Sequence, residues 1–406
     1  MPLIADSTRL ADFCRPLVAA DFIAVDTEFL RDRTYWPKLC LIQVAGPDGA
    51  VAIDPLAEDI DLTPLLELLA HPRLLKVFHA ARQDLEIFYH LTGRVPAPLF
   101  DTQVAAMVCG YGDSVGYETL AGQLAGARID KSLRFTDWSQ RPLSPRQITY
   151  ALADVIHLRD VYRALAQRLG ATSRAAWLQE EMATLLDPAT YRLHPEEAWR
   201  RLKPRSSNPR FLSVLREVAA WRERQAQDRD IPRGRVMRDD ALLDLAANAP
   251  KTATDLGRLR GLPQGFADGR LGPELLAAIE RGLAVPQEEA PPAPDSFRPP
   301  RGIEPVVELL KVLLKMKCEA HDVAQKLVAS SSDLERIAAD DEADVPALHG
   351  WRRQVFGEDA LALKHGQLAL TIRNRKGDVV KLGGDGDAAN GGLRFANPPY
   401  GSGAVS

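Results

Sequence analysis

The chain is 406 residues long, 46% of them apolar, with a formal net charge of -4 at pH 7. The length is too great for one ordinary core, and the composition is that of a globular protein rather than a disordered or fibrous one. The mild acidity excludes a uniformly basic nucleic-acid coat, so local patches or bound cations would have to attract any polyanion.

The cysteines (Cys14, Cys40, Cys109 and Cys318) lie far apart. They form no metal pattern and no expected disulfide framework, and a reducing cytoplasm fits them. The first residues lack the basic-then-apolar layout of a signal peptide, and no apolar run is long enough to span a bilayer. A cytoplasmic protein with no membrane partner is expected.

In chain order, Asp21 to Leu30 reads as a strand, as do Leu39 to Ala45 and Ala50 to Asp54, with a hairpin between the last two. An amphipathic helix follows around Leu62 to Ala70, then a strand over Leu74 to His79, a helix over Arg82 to Leu91 and a short strand over Pro98 to Asp101. Early strands that pair as a meander, followed by strand–helix units, predict an α/β fold: a mixed sheet with flanking helices. Ser144-Pro145-Arg146-Gln147 carries a capping serine, a proline at the first helical position and glutamine at the third, so a helix starts there. One periodic stretch runs from Ile148 to about Leu169. Tyr191 to Pro209 reads as a connection, and Arg210 to Leu283 as short helices separated by Gly and Pro. Pro286 to Gly302 is a proline-rich, semi-rigid linker. Ile303 to about Arg375 is helical again, and the chain after Lys376 reads as a disordered tail. Ala253 to Leu259 and Ser331 to Ile337 echo one another and suggest a repeat.

Asp26 and Glu28 are two apart on a strand, so their carboxylates share a face. Asp84 sits near the start of the helix after the fourth strand, and Asp154 lies one helical turn after Tyr150. Each has an ordinary reading alone: a strand end in water, a helix-dipole partner, a surface pair. Taken together, converging carboxylates repel unless something positive sits between them. An all-oxygen donor set suits Mg²⁺ or Mn²⁺, and two such ions about 3.5–4 Å apart stabilise both oxygens of a phosphodiester displacement. No His or Cys cluster offers a zinc site, and there is no Gly-rich phosphate loop.

Asp26-Thr27-Glu28, His79-Ala-Ala-Arg-Gln-Asp84 and Tyr150-Ala-Leu-Ala-Asp154 resemble, in order and spacing, the exonuclease motifs of the DEDD superfamily. The tyrosine four before the last acid resembles the DEDDy branch. Leu41-Ile-Gln43 and Phe135 to Leu143 resemble the ribonuclease D family in particular. His79 and Gln83 depart from the asparagine and aromatic residue usual in proofreading members. The resemblance implies a ribonuclease H-like catalytic domain over residues 1–190. It also implies a metal-dependent 3′→5′ exoribonuclease that releases 5′-mononucleotides using two divalent ions. In that reading Asp26 touches both ions, Glu28 and Asp154 complete one site, Asp84 supports the other and Tyr150 positions the attacking water. Thr27 and Phe29 are expected to shape the 3′-terminal nucleotide pocket, with core packing on the strand an equal reading for Phe29. His79 is expected either to contact substrate or to pack beneath the site.

Val218 to Arg224, Asp230 to Arg235 and Asp240 to Leu243 resemble the HRDC domain, placed over 207–285. A linker over 286–302, a divergent all-α HRDC-type copy over 303–375 and a tail over 376–406 complete the plan. Arg222, Arg224, Arg229, Arg233, Arg235 and Arg238 are candidate phosphate contacts, diluted by neighbouring acids, and Trp221 is expected in the core. The partner is RNA with a free 3′ end, tRNA precursors included, and the protein is expected to be a monomer. A single-strand DNA exonuclease and an inactive nucleic-acid scaffold are the alternative readings.

Overall fold

A computed structural model of the chain describes residues 3–130, 132–133, 136–204, 206–262, 265–292 and 297–382. The chain divides into two compact units, 1–297 and 298–406.

The first unit opens with β1 (Leu3–Ile4) and α1 (Ser7–Leu17), whose N-terminus is capped by the Asp6 carboxylate. The apolar runs expected as strands form β2 (Phe22–Leu30), β3 (Lys38–Ala45) and β4 (Ala50–Ile53), paired antiparallel. After α2 (Thr63–Leu69) come β5 (Leu75–Phe78), α3 (Arg82–Thr92) and β6 (Leu99–Asp101). The six strands lie in the order β1-β4-β3-β2-β5-β6, with β1, β5 and β6 joining in parallel. The sheet is therefore mixed, as expected, and β2 is central in it.

Helices α4 (Thr102–Val108), α5 (Tyr117–Ala125), α6 (Pro145–Ile156), α7 (Leu158–Gly170) and α8 (Ala175–Leu186) follow. The capping box that Ser144 and Gln147 announce is present at the start of α6. The single periodic stretch expected up to Leu169 is broken at His157. Helix α6 packs across β2, β3 and β4, whereas α7 packs on α4, α5 and β5. Apolar spacing does not register that change of axis.

The connection after Tyr191 is structural rather than loose. A 3₁₀ segment, Pro195–Arg201, buries Ala198 and Trp199 in the core of the next helices. These are α9 (Pro209–Asp228), α10 (Arg233–Val236), α11 (Asp239–Asn248), α12 (Ala253–Gly257) and α13 (Leu271–Ala284). The short helices expected from 210 onward are corrected here, because α9 runs 20 residues from its Asn208 cap. No Gly or Pro interrupts it. Helix α13 lies so close to α9 that a Cβ on Gly282 would stand 2.6 Å from the Val214 Cα. Trp221 is in this core, as expected.

The second unit comprises α14 (Glu304–Ala320), α15 (Gln325–Val328), α16 (Ser331–Ala339) and α17 (Gly350–Arg352). A π-helical stretch, Arg353–Gly357, then leads into α18 (Glu358–Lys364). The echo suggested by sequence pairs α12 with α16, whereas the shared turn geometry pairs other helices. Asp230 and Asp322 both take left-handed backbone (φ 46° and 47°). The next residue in each case reaches back to a helix carbonyl, Ile231 N to Ala226 O and Val323 N to Cys318 O. The series α9–α10–α11 thus recurs as α14–α15–α16, so α16 corresponds to α11 rather than to α12.

The expected all-helical end and tail boundary are also corrected. β7 (Leu368–Arg373) and β8 (Lys376–Lys381) form an antiparallel hairpin. Its turn residues Asn374 and Arg375 both have positive φ, the geometry of a tight hairpin, and Thr371, Ile372, Val379 and Val380 supply β-branched strand residues. The rest of the expected tail, 383–406, and residues 293–296 of the expected linker lie outside the described residues. Among the described residues no helix is long and apolar enough to cross a membrane, and the cysteines are free and buried.

Candidate active site

Asp26 and Glu28 project from the face of β2 on which α6 packs, and α6 supplies Tyr150 and Asp154. Asp26 pairs with Gln43 and Glu28 with Leu41 across the β2–β3 ladder, which then shifts register at a bulge before Phe29. The bulge leaves Cys40 as the extra residue, and its carbonyl accepts a hydrogen bond from Arg141 Nη2 at 2.7 Å. Arg141 also grips Asp54 through Nε and Nη2 at 2.7 and 2.6 Å. This bidentate pair fastens the segment before α6 to the sheet and so fixes where Tyr150 and Asp154 stand. Phe135, part of the segment expected to matter here, lies outside the described residues.

Asp84 is in the first turn of α3 and only 6% exposed. Thr27, between the two β2 acids, turns to the opposite side of the strand and is itself buried. Its hydroxyl donates to the Asp84 carboxylate. Thr27 is expected from sequence to shape a nucleotide pocket, and the structure gives it the task of holding Asp84. Sequence reasoning missed Asp101, the residue that fixes the loop leading to Asp84. Its buried carboxylate accepts N–H groups from Ala80 (3.1 Å), Ala81 (2.8 Å), Gln103 (2.8 Å) and Val104 (3.3 Å). Ala80 has φ 56°, a conformation that an L-residue adopts only when held. The available signal was an aspartate just before Thr-Gln at a helix start.

A cleft of about 360 Å³ gathers Asp26, His79, Tyr117, Tyr150 and Asp154. His79 Nδ1 lies 3.0 Å from the Thr102 hydroxyl, which itself donates to the Phe78 carbonyl. Burial pushes the imidazole pKa down to about 4, so the ring is neutral near pH 7. His79 therefore borders the cleft while anchored beneath it. Tyr117, which sequence reasoning did not single out, stands edge-on to His79 and donates to the Ala153 carbonyl at 3.0 Å. Tyr150 is half-buried, 5.9 Å from the Trp138 ring. Phe29 is half-buried just beyond the bulge.

The four acids share one electrostatic environment. Withdrawal from water pushes the Glu28 carboxyl up to about 9, with Asp26, Asp154 and Asp84 adding to it. Asp154 is raised by burial and then by Asp26. Asp84 is raised well above the carboxylate range by burial and Asp26, against the opposing Thr27 hydrogen bond. Asp26 is raised by burial against a backbone hydrogen bond at Thr27. No lysine or arginine lowers any of the four. Among the described residues no three His, Cys, Asp or Glu side chains are already drawn into a closed metal cluster.

The 3'-5' exonuclease family matches residues 1–170, and the HRDC domain family matches residues 211–279. A ribonuclease D of Nitrobacter hamburgensis is 54% identical over 94% of this chain and 99% of its own. One from Granulibacter bethesdensis is 52% identical over 94% and 97%. The chain belongs to the ribonuclease D family. The crystal structure of Escherichia coli RNase D, "an exoribonuclease involved in structured RNA processing", is similar at a TM-score of 0.75 and 30% identity, over 90% of this chain and 98% of that one. Membership of the ribonuclease D family makes this chain a hydrolytic 3′→5′ exoribonuclease with an HRDC domain behind the catalytic one.

Several arginines expected as phosphate contacts of the HRDC region are otherwise engaged. Arg222 is 4% exposed and bonds the Met237 carbonyl and Asp239. Arg224 pairs with Glu196, and Arg233 with buried Glu223. Other arginines line a cleft of about 460 Å³ where the catalytic domain meets α10. Arg31, Arg82, Arg201 and Arg233 line it with Tyr35 and Tyr191; Arg31 pairs with Glu86, and Arg201 and Arg233 face Glu223. Arg82 stands two residues before Asp84, and Arg31 three after Glu28. The cleft is thus adjacent in the chain to both the β2 and the α3 acids.

Proposed function

We propose that the acids are the ligands of two divalent metal ions, Mg²⁺ or Mn²⁺, that serve hydrolysis of the terminal phosphodiester of RNA. The observation carrying this is a set of carboxyls, Asp84 buried and Asp26, Glu28 and Asp154 partly buried, each raised in pKa with no basic side chain lowering it. An oxygen-only set in that condition fits a hard cation. Asp26 would serve both ions, Glu28 and Asp154 one, and Asp84 the other. Bound ions supply a water ionised near neutral pH and charge neutralisation on the phosphate.

The chain's own groups do the rest. Tyr150, a turn from Asp154 at the cleft, orients the attacking water by a hydrogen bond. A phenol with an ordinary pKa of about 10 is a poor proton acceptor, so orientation comes first. Thr27 keeps Asp84 aimed at the site. Phe29 and neutral His79 border the 3′-terminal nucleotide, His79 from its anchored position beneath it. Arg82 and Arg201 give the upstream phosphates a track beside the acids. The products are 5′-mononucleotides released singly. The substrates we propose are tRNA precursors and other RNAs with a free 3′ end, handled by a monomer in the cytoplasm.

The test is product analysis on a 5′-labelled single-stranded RNA and its DNA counterpart, over a titration of Mg²⁺ and Mn²⁺. Nucleoside 5′-monophosphates appearing one by one from the RNA, and none in chelator, support the reading. Activity that survives chelation, or internal cuts, would overturn it.

A further inference from the structure

Gln43 is the anomaly of the sheet. It lies in the middle of β3, is 0% exposed, and both its amide nitrogen and its amide oxygen lack a hydrogen-bond partner. A buried primary amide left unpaired costs free energy, and native cores rarely keep one without a reason. An isosteric methionine would fill the same space with no such cost.

The register says what the amide is near. Gln43 pairs with Asp26 on one side and with Ala52 on the other. Directly paired residues on adjacent strands point to the same face, with Cβ atoms about 4.5–5.5 Å apart. Its neighbours two along on β3 are Leu41 and Ala45. Leu41 and Ala52 belong to the apolar cluster that α6 closes with Ala151 and Leu152. Of these four immediate neighbours on the sheet face, Asp26 alone is polar. Helix α6 packs over this face at Gln43, so water does not reach its amide.

We propose that Gln43 is a positioning residue for Asp26: its Nε2–H donates to the Asp26 carboxylate in the metal-loaded site and sets the rotation of that carboxylate. The inference rests on the reading of Asp26 as a metal ligand given above. The residue type follows from the charge of the site. A lysine or arginine at this position would neutralise Asp26 and compete with the cations it holds. A glutamate would add a further buried negative charge. A neutral donor orients the carboxylate and leaves its charge for the metal. Because Asp26 is the acid assigned to both ions, loss of its alignment weakens both sites together.

The test uses the full chain with Gln43→Met and Gln43→Glu, read by kcat, KM, Mn²⁺ half-saturation and thermal melting. Gln43→Met should melt at or above wild type without metal, since an unpaired amide has been removed. Its kcat should fall about 10–100-fold. KM for RNA should stay within about twofold, and the Mn²⁺ concentration for half-maximal rate should rise severalfold. Gln43→Glu should lose activity more completely. A folded Gln43→Met with wild-type kcat and Mn²⁺ dependence would overturn the proposal and leave Gln43 a packing residue. If neither variant folds, a crystal structure of the wild type with Mn²⁺ decides. Nε2 within about 3.2 Å of an Asp26 oxygen supports the proposal. An amide bonded only to the Trp138 indole N–H, which is also buried without an acceptor, refutes it. Wild type inactive on every RNA with metal would instead bring down the functional reading itself.

Discussion

Tyr35, on the segment between β2 and β3, donates its phenolic hydrogen to Glu223, in the middle of α9 of the HRDC region. Arg233 closes the arrangement, reaching Glu223 at 2.6 Å and the Tyr35 oxygen at 2.9 Å, with its guanidinium over the tyrosine ring. Asp230 accepts the backbone N–H groups of Tyr35 and Trp36 at 3.0 and 2.9 Å. The catalytic and HRDC parts of the first unit are therefore joined by a partly buried polar lock, with Glu223 only 1% exposed.

Removing either end of that lock should have unequal effects. Tyr35→Phe loses the bond donated to Glu223 and the oxygen that accepts from Arg233 and Gln227, both of which keep another partner, at a cost of about 1–1.5 kcal/mol. Glu223→Ala leaves Arg233 and the phenol without their shared partner and should cost about 2–4 kcal/mol, the upper part of the range being reduced by Arg233's partial exposure. Urea unfolding of the full chain measures both. Equal effects would mean that the lock is not centred on Glu223.

The metal-free protein should lose stability as pH rises. Glu28 titrates at about 9 when folded, against roughly 4.3 for an unperturbed glutamate. Between those values the folded state holds more protons than the unfolded one, so stability falls as pH increases through that window. Buried Asp84 and the partly buried Asp26 and Asp154 shift in the same direction. Divalent cations should flatten the profile, because they replace the protons. Asp26→Asn should melt roughly 3 °C or more above wild type at pH 8 without metal. Thermal melts from pH 5 to 9, with and without Mn²⁺, show whether the slope has this sign.

Asp101 should matter for rate although it lies outside the acid set. Asp101→Asn replaces one acceptor oxygen by an NH₂ group that meets backbone N–H donors. With the left-handed Ala80 released, the start of α3 and Asp84 lose their support. We expect a stability loss of about 2 kcal/mol and a kcat reduced about 10-fold. A variant with wild-type kcat would show that the loop holds itself.

The arginine cleft should act on KM. Arg82→Ala combined with Arg201→Ala should raise KM for a long RNA severalfold at unchanged kcat. The salt dependence should weaken too, by roughly 0.7 in log–log slope for each phosphate no longer neutralised. A dinucleotide, which has no phosphate upstream of the scissile one, should be cleaved as before. Loss of dinucleotide cleavage would place these arginines in the reaction itself.

Much of the site is legible in the sequence because its chemistry follows from local spacing. Asp26 and Glu28 share a strand face by periodicity, and the Ser144 capping box fixes the phase of the helix that bears Tyr150 and Asp154. What stays hidden depends on tertiary contact. Thr27 reads as a pocket residue until α3 is seen to bring Asp84 to its other side. Gln43 sits in an apolar run and shows its importance only through the pairing with Asp26. Arg222 and Arg233 read as exposed charges because their partners, Asp239 and Glu223, come from other turns and helices. The hairpin after Gly366 reads as the end of a helical segment followed by tail, because its strands are short and its ends polar.

The most direct measurement is the shortening of a 5′-labelled single-stranded RNA by wild type and Asp26→Asn, with Mn²⁺ and in chelator, alongside melts of both proteins. We expect the wild type to produce a ladder receding from the 3′ end with Mn²⁺ and none in chelator. Asp26→Asn should produce no ladder while melting at or above the wild-type temperature without metal. An Asp26→Asn protein that shortens the RNA at the wild-type rate would contradict the assignment of these acids as the catalytic centre.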